Sequence, residues 1–154
     1  MIRLSKARLS DISSMQELVV DEVRDGIILN RTADEIATNI RSYILAKDGD
    51  KIIGYTALHI HSARLSEIRS LIVDSGYRGR LVGKQMVDYA LKEAIKLGLE
   101  EVLVLTYLPL FFQKLGFEEI AKEEIPEQKI WADCIKCIHF PVCNEVSLVY
   151  RISR

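Results

Sequence analysis

The stretch "SLIVDSGYRGRLVGKQM", residues 70–86, gathers cations and glycines between two apolar runs. Arg78, Arg80 and Lys84 stand around Gly79 and Gly83, just after a turn signal at Asp74, Ser75 and Gly76. The run before the turn alternates like a strand, and the run after it repeats at helical spacing. A strand, a glycine-bearing turn and a helix start together form an anion site. The first N–H groups of a helix lack internal partners, and the helix dipole adds partial positive charge at the same end. Glycines admit a phosphate close to the backbone, and the cations add full charges. The spacing points to the pyrophosphate of a small molecule. The plainer reading is a solubilising basic rim on a helix, with Gly79 serving only the turn.

A second set of reactive residues lies in a cysteine-bearing loop at 131–143. Cys134, Cys137, His139 and Cys143 follow a C-x2-C-x-H-x3-C spacing. Three thiolates and an imidazole are a permissible zinc set. The same residues also fit reduced thiols in a packed loop, with His139 solvated or hydrogen-bonded. An odd cysteine count argues against a disulfide framework.

The elements that position these groups can be read from periodicity. "IRLSKAR" at 2–8 alternates as a strand. Ser10 and Asp11 offer an N-cap for a helix carrying Ile12, Met15, Leu18, Val19 and Val23 and ending at Gly26. Thr32 and Glu35 make a capping-box pattern for a second helix with Ile36, Ile40 and Ile44 on one face. "DGDK" at 48–51 turns between two strand-like runs. "LSEIRSLIV" at 65–73 alternates, which puts Glu67, Arg69, Leu71 and Val73 on one face and Ile68, Ser70 and Ile72 on the other. Val82, Met86, Ala90 and Ile95 mark an amphipathic helix ending at Gly98. "EEVLVLTY" reads as a central strand, "LPLFFQKLGF" as a short helix ending at Gly116, and the tail closes on a last strand. The pattern implies an α/β fold of α+β type with a mixed sheet.

The totals bound what the chain can do. Its 154 residues suit a single domain, 1–154. Lys plus Arg total 21 against 22 Asp plus Glu, so a broad polyanion footprint is absent and nucleic acid is not an expected partner. No apolar run approaches the ~18 residues of a membrane span. The opening lacks the apolar core of a signal peptide. A soluble, cytoplasmic protein is expected.

"YRGRLVGKQMVDYAL" resembles the acetyl-coenzyme A motif of the GNAT N-acetyltransferase superfamily, Q/R-x-x-G-x-G/A. Arg78 and Gly83 match it, and Leu81 stands where the first motif glycine is usual. "EIRSLIV" resembles the strand before that loop, and "VLVLTYLPLFFQKLGF" resembles the later strand and the "F-Y-x-K-x-G-F" signature. With "SKARLSDI", "ALHI", "WADC" and "FPVC", the whole chain is similar to short-form, single-domain N-acetylglutamate synthases. The resemblance implies a central, mostly antiparallel twisted sheet with a splayed parallel pair. It implies acetyl-CoA as cosubstrate and transfer of its acetyl group to the α-amino group of L-glutamate, the first step of arginine biosynthesis. It names no metal role for the cysteines, so zinc is not an expected cofactor. GNAT domains often pair, so a homodimer is admitted without being fixed.

Such chemistry assigns roles. A base must deprotonate the acceptor, and Glu67, matching the family's "E-I-R-S-L" glutamate, is the candidate; burial would have to raise its carboxyl above the usual range. The alternative for Glu67 is a paired strand carboxylate. Backbone N–H groups of Leu71, Ile72 and Val73 would hold the thioester oxyanion. Arg78, Gly79, Arg80, Leu81, Val82, Gly83 and Lys84 would hold the cofactor. Phe112 occupies the position where many relatives carry a proton-donating tyrosine, so Thr106 or Tyr107 would protonate the thiolate. Arg31, Arg64 and Arg69 would face the substrate's carboxylates, because a guanidinium pairs a carboxylate bidentately. Two other readings stay open: acetylation of a different amine, such as a protein amino group or polyamine, and a non-catalytic CoA-binding module.

Overall fold

The computed structural model of the chain describes residues 1–125 and 145–152. Among them a seven-stranded sheet has the order β1-β2-β3-β4-β5-β7-β6. The strands are β1 (Ile2–Lys6), β2 (Tyr43–Asp48), β3 (Lys51–Ile60), β4 (Leu65–Val73), β5 (Glu101–Thr106), β6 (Glu118–Glu119) and β7 (Val146–Arg151). Every neighbouring pair is antiparallel except β4 and β5. The helices are α1 (Ile12–Leu18), α2 (Val20–Arg24), α3 (Ala33–Thr38), α4 (Val82–Leu97) and α5 (Pro109–Lys114). The expected mixed sheet with one parallel pair is therefore present.

Alternation along the strands feeds two cores. On one face, Val87, Ala90, Leu91 and Ala94 of α4 pack on Ile44, Leu58, Ile68, Val102 and Val104. On the other, Met15, Val19 and Ile36 pack on Tyr43, Leu45, Tyr55, Ala57 and Ile72. The capping box forms as its residue types dictate: Glu35 N–H donates to Thr32 Oγ1, and Thr32 N–H donates to Glu35 Oε1, both at 3.1 Å. The hairpin between β2 and β3 turns on Gly49, whose φ of +62° lies where glycine has no steric penalty.

The helix that begins after Thr32 ends at Thr38, so Ile40 falls in a 3-10 turn and Ile44 in β2 instead of sharing its face with Ile36. Two further expectations give way. The helix expected from 11 to 26 is interrupted at Val19, which has φ −112° and ψ 11°. Two β-branched residues in a row, Val19 and Val20, crowd the preceding turn there. The second departure lies in β4. Tyr55 pairs with Ile72 but Ala57 pairs with Arg69, so Ser70 and Leu71 together oppose Thr56. This is a β-bulge, with Ser70 at φ +56°. The hydroxyl of Thr56 donates to the carbonyl of Arg69 at 2.9 Å and pins the distortion. An extra residue reverses the parity of every side chain beyond it. Leu71 consequently packs toward α4 with Ile68, while Ile72 turns to the face that carries Glu67. Leu71 and Val73 do not share the face of Glu67 and Arg69 as simple alternation predicts.

Candidate active site

The parallel β4–β5 ladder begins at Leu65–Glu101 and ends at Ile68–Val104. Beyond that pair β4 continues to Val73 and β5 to Thr106, and the bulge swings β4 away. The backbone edge of β4 past Ile68 therefore faces a gap instead of a neighbouring strand. The opening is a cleft of about 220 Å³, lined by β4 from Glu67 to Ile72, by Val104 to Leu108, by Phe112, and by Ile27 to Leu29, Arg31 and Glu145. Leu71 and Ile72, expected near the thioester, line it.

Glu67 is 3% exposed at the base of this cleft. Its Oε1 is 2.9 Å from Nε2 of His61 and 2.9 Å from Nε of Arg69. Against an ionised carboxylate the shared hydrogen must sit on the imidazole, so both contacts are donors to one oxygen. A buried carboxylate needs such partners, because desolvation alone would be costly. The two readings of Glu67 thus coincide in space: it is a paired strand carboxylate, and it faces the cleft. His61 escaped the sequence reading. The available signal was "HIH" at the end of β3, since His59 is the cross-strand partner of Glu67 and residues two apart share a face.

The cation-and-glycine loop runs from the end of β4 into α4. Among the described residues no side chain caps the N-terminus of this 16-residue helix, so its first N–H groups face outward. Leu81 precedes it with φ +64° and is 66% exposed. The side chain that replaces the usual glycine therefore points away from the loop instead of crowding it. Gly79 carries φ +81° and, among the described residues, meets no neighbour where a Cβ would sit, so its backbone angle is what favours glycine. At Gly83 an added Cβ would meet Phe111 at 3.5 Å, an ordinary contact, so packing does not demand glycine there. The three cations surround this helix end. Arg78 Nε donates to the Val73 carbonyl at 3.3 Å, Arg80 lies 5.1 Å from the Tyr77 ring centroid, and Lys84 pairs with Asp88 at 2.9 Å. All three are exposed and able to turn toward a bound diphosphate. The uncapped helix end, the outward Leu81 and the adjoining gap fit the pyrophosphate and acyl arm of CoA.

The remaining assigned residues divide. Thr106 is buried, and its Oγ1 accepts from Leu108 N–H at 2.9 Å, which shapes the turn into α5. Tyr107 lines the cleft half-exposed. Phe112 is a buried cleft wall stacked edge-on between Phe111 and Phe117. Arg31 lines the cleft and also a neighbouring hollow bounded by Gln16, Tyr43 and Tyr55. Burial pushes the Tyr55 phenol far up, an effect that Tyr43 reinforces and the Arg31 charge opposes. Arg69 sits beside Glu67. Arg64 is not brought to the cleft: it pairs with Glu100 at 2.8 Å and its side chain is 72% exposed, at the opposite end of β4. It follows Ser62 in the β3–β4 turn, whose direction sequence alone does not give. Cys134, Cys137, His139 and Cys143 lie outside the described residues.

With this geometry in view, the comparisons with known proteins can be read. The sequence pattern of the Acetyltransferase (GNAT) family matches residues 11–117. An uncharacterized N-acetyltransferase of Chlorobaculum tepidum is 36% identical over 93% of this chain and 92% of its own length. The amino-acid acetyltransferase of Mycobacterium tuberculosis is 34% identical over 75% of this chain and 67% of its own. Among solved structures, N-acetylglutamate synthase from Neisseria gonorrhoeae, complexed with coenzyme A and N-acetyl-glutamate, superposes with a TM-score of 0.88 at 21% identity. That match covers 100% of this chain and 36% of the longer synthase. A family pattern spanning most of the chain, carried on the splayed sheet and loop described above, leads to one conclusion: the chain belongs to the acetyltransferase (GNAT) family and is an N-acetyltransferase.

Proposed function

We propose that this enzyme moves the acetyl group of acetyl-CoA to the α-amino group of L-glutamate by direct attack of the amine, with Glu67 as base. The observation that carries the proposal is the buried Glu67 carboxylate at the foot of the β4–β5 gap, in a cleft that Arg31 also lines. A base near the splay serves amine attack on an acyl group laid between the strands. A guanidinium in the same cleft suits an acceptor bearing carboxylates. The amino-acid acetyltransferase name of a relative, and the ligands named for the Neisseria synthase, support the same substrate class.

The α-amino group of a free amino acid, held above the ~7.7–8.0 of a peptide terminus by its own carboxylate, reaches the site mostly as ammonium at neutral pH. Glu67 takes that proton, directly or through water, and the freed lone pair adds to the thioester carbon. The oxyanion that forms is held by backbone N–H groups of the bulged segment, Leu71 to Val73. As the intermediate collapses the nitrogen gives up its second proton and the C–S bond breaks; that proton reaches the departing CoA sulfur through the hydroxyl of Thr106 or Tyr107, which is thereby reprotonated as it donates, and CoA leaves as the thiol. Arg31 and Arg69 hold the acceptor's carboxylates. Carriage of the diphosphate falls to the amides at the start of α4 together with Arg78, Arg80 and Lys84.

Thiol release from acetyl-CoA, followed over a panel of amino acids, polyamines and basic peptides, tests this. Glutamate is expected to give the highest kcat/KM. A preference for polyamine or peptide amines would replace glutamate as acceptor, and binding of CoA without turnover on any amine would overturn catalysis.

A further inference from the structure

Strand β3 ends on His59 and Ile60 and His61 follows it directly, so two imidazoles sit near Glu67, on the side of the sheet opposite α4. His61 itself lies just past the strand, where its backbone N–H donates to the Leu65 carbonyl at 2.9 Å. This bond closes the start of the β3–β4 turn and fixes where the ring emanates. The His61 side chain is 5% exposed, and its Nε2 is 2.9 Å from Glu67 Oε1. The ring of His59 stands edge-on to it, with centroids 4.7 Å apart. A buried imidazole is poorly placed unless its polar atoms bond, and a leucine would fill such a position without that cost. The histidine is therefore explained by the bond it makes.

Arg69 alone would locate Glu67 loosely, because both residues project from one strand and the arginine stem is flexible. His61 approaches from the neighbouring strand. Two donors from different strands converge on a single oxygen, which limits how the carboxylate can rotate. They also favour its ionised form, the form a base needs. The titratable and charged groups around Glu67 are His59 and His61 from the β3 side, Arg69 from β4, Arg31 from the segment before α3, Tyr107 after β5, and Glu145 before β7. Most of the full charges in that set are positive or carried by arginine, and His61 supplies the bond from β3.

We propose that His61 is a positioning residue for acetyl transfer, which orients the Glu67 carboxylate through its Nε2 hydrogen bond; this rests on Glu67 being the base. Its test is a set of variants assayed for thiol release across pH: His61→Leu, His61→Gln, and each combined with Glu67→Gln. Loss of a hydrogen bond to a charged group predicts a fall of about 10- to 100-fold in kcat for His61→Leu. KM for acetyl-CoA stays near that of the parent enzyme. The acid limb of the kcat/KM profile moves to higher pH, because the carboxylate has lost a donor. His61→Gln, whose side-chain amide can reach the same oxygen, recovers most of the loss. In the Glu67→Gln background His61→Leu costs little more, since its effect passes through Glu67.

A His61→Leu enzyme with unchanged rate and pH profile would overturn the proposal. So would an equal loss from His61→Leu in the parent and Glu67→Gln backgrounds. Full activity of Glu67→Gln alone would remove the underlying base assignment, and that result is visible without touching His61. Thermal melting with and without CoA confirms the fold of each variant. If His61→Leu does not fold, His61→Asn, whose shorter amide falls short of Glu67, replaces it in the same comparison with His61→Gln.

Discussion

Gly54 of β3 lies against the carbonyl of Ile72 in β4 so closely that a Cβ at 54 would sit 2.7 Å from that oxygen. The same Cβ would stand 3.1 Å from the Met86 methyl of α4. A flexible methionine end can move, but a strand carbonyl cannot move alone. Gly54 is thus the residue that lets the bulged end of β4 approach β3 just where the cleft wall turns. Gly54→Ala is expected to destabilise the fold by about 1–3 kcal/mol, the usual cost of overpacking. It should also raise KM for acetyl-CoA, since the displaced segment includes Leu71 to Val73. Chemical denaturation and steady-state kinetics on the variant check both parts.

Replacing the carboxylate leaves the amine to arrive deprotonated by itself. Glu67→Gln is expected to lower kcat at pH 7 by about 10²–10⁴-fold. The loss should shrink as pH rises toward the amine's own pKa, which its neighbouring carboxylate holds above that of a peptide terminus, because the free base becomes available without help. A kcat–pH series for parent and variant reads this directly, and a pH-independent deficit would point to a different role.

Leu81 holds a left-handed conformation that costs a non-glycine residue roughly 1–2 kcal/mol. Glycine returns part of that gain through the greater freedom of its unfolded chain, about 0.5–1 kcal/mol. The leucine side chain is mostly exposed, so little burial is lost on its removal. Leu81→Gly should therefore stabilise the protein by roughly 0.5–1 kcal/mol, a rise of a few degrees in Tm at most. CoA affinity, measured by calorimetry, is expected to hold or improve.

Tyr77 donates its hydroxyl hydrogen to Asp48 Oδ2 at 2.7 Å, tying the loop before α4 to the β2–β3 hairpin. The bond to Tyr77 leads the causes that hold the Asp48 carboxyl below its ordinary value, with the chain's amino terminus adding to it. The bond to Asp48 likewise raises the Tyr77 phenol. A depressed carboxyl contributes stability that is present above its unfolded pKa and disappears as pH falls through the folded one. A raised phenol contributes stability present below its unfolded pKa and lost as pH rises through the folded value. The pair therefore acts between these two limits. In Tyr77→Phe the Asp48 carboxyl should titrate higher in an NMR titration, and the stability difference from the parent should vanish in strong acid.

How much of this was open to reading from residues alone can be followed element by element. Limits of β4 and α4 emerged correctly because turn residues bracket both and their apolar periods are long. The loop before α4 was recognisable because cations and glycines there had no packing explanation. The shared face of Glu67 and Arg69 followed from their spacing on a strand. The bulge did not, since Ser70 carries no glycine-like mark, and the parity of Leu71 and Val73 was lost with it. Arg64 and His61 show the same limitation in opposite senses. Both lie around one turn, and only the three-dimensional course of that turn sends the arginine outward to Glu100 and the histidine inward to Glu67.

The early end of the β4–β5 ladder has a mechanical consequence. Below the Ile68–Val104 rung the sheet is stitched together, and above it the two halves resemble leaves of a half-opened book with a spine only four residue pairs long. A molecule wedged between the leaves would supply the cross-links that the backbone withholds. Ligand occupancy should then stiffen the whole β-structure and slow amide exchange on both leaves, including positions remote from any contact with the bound molecule.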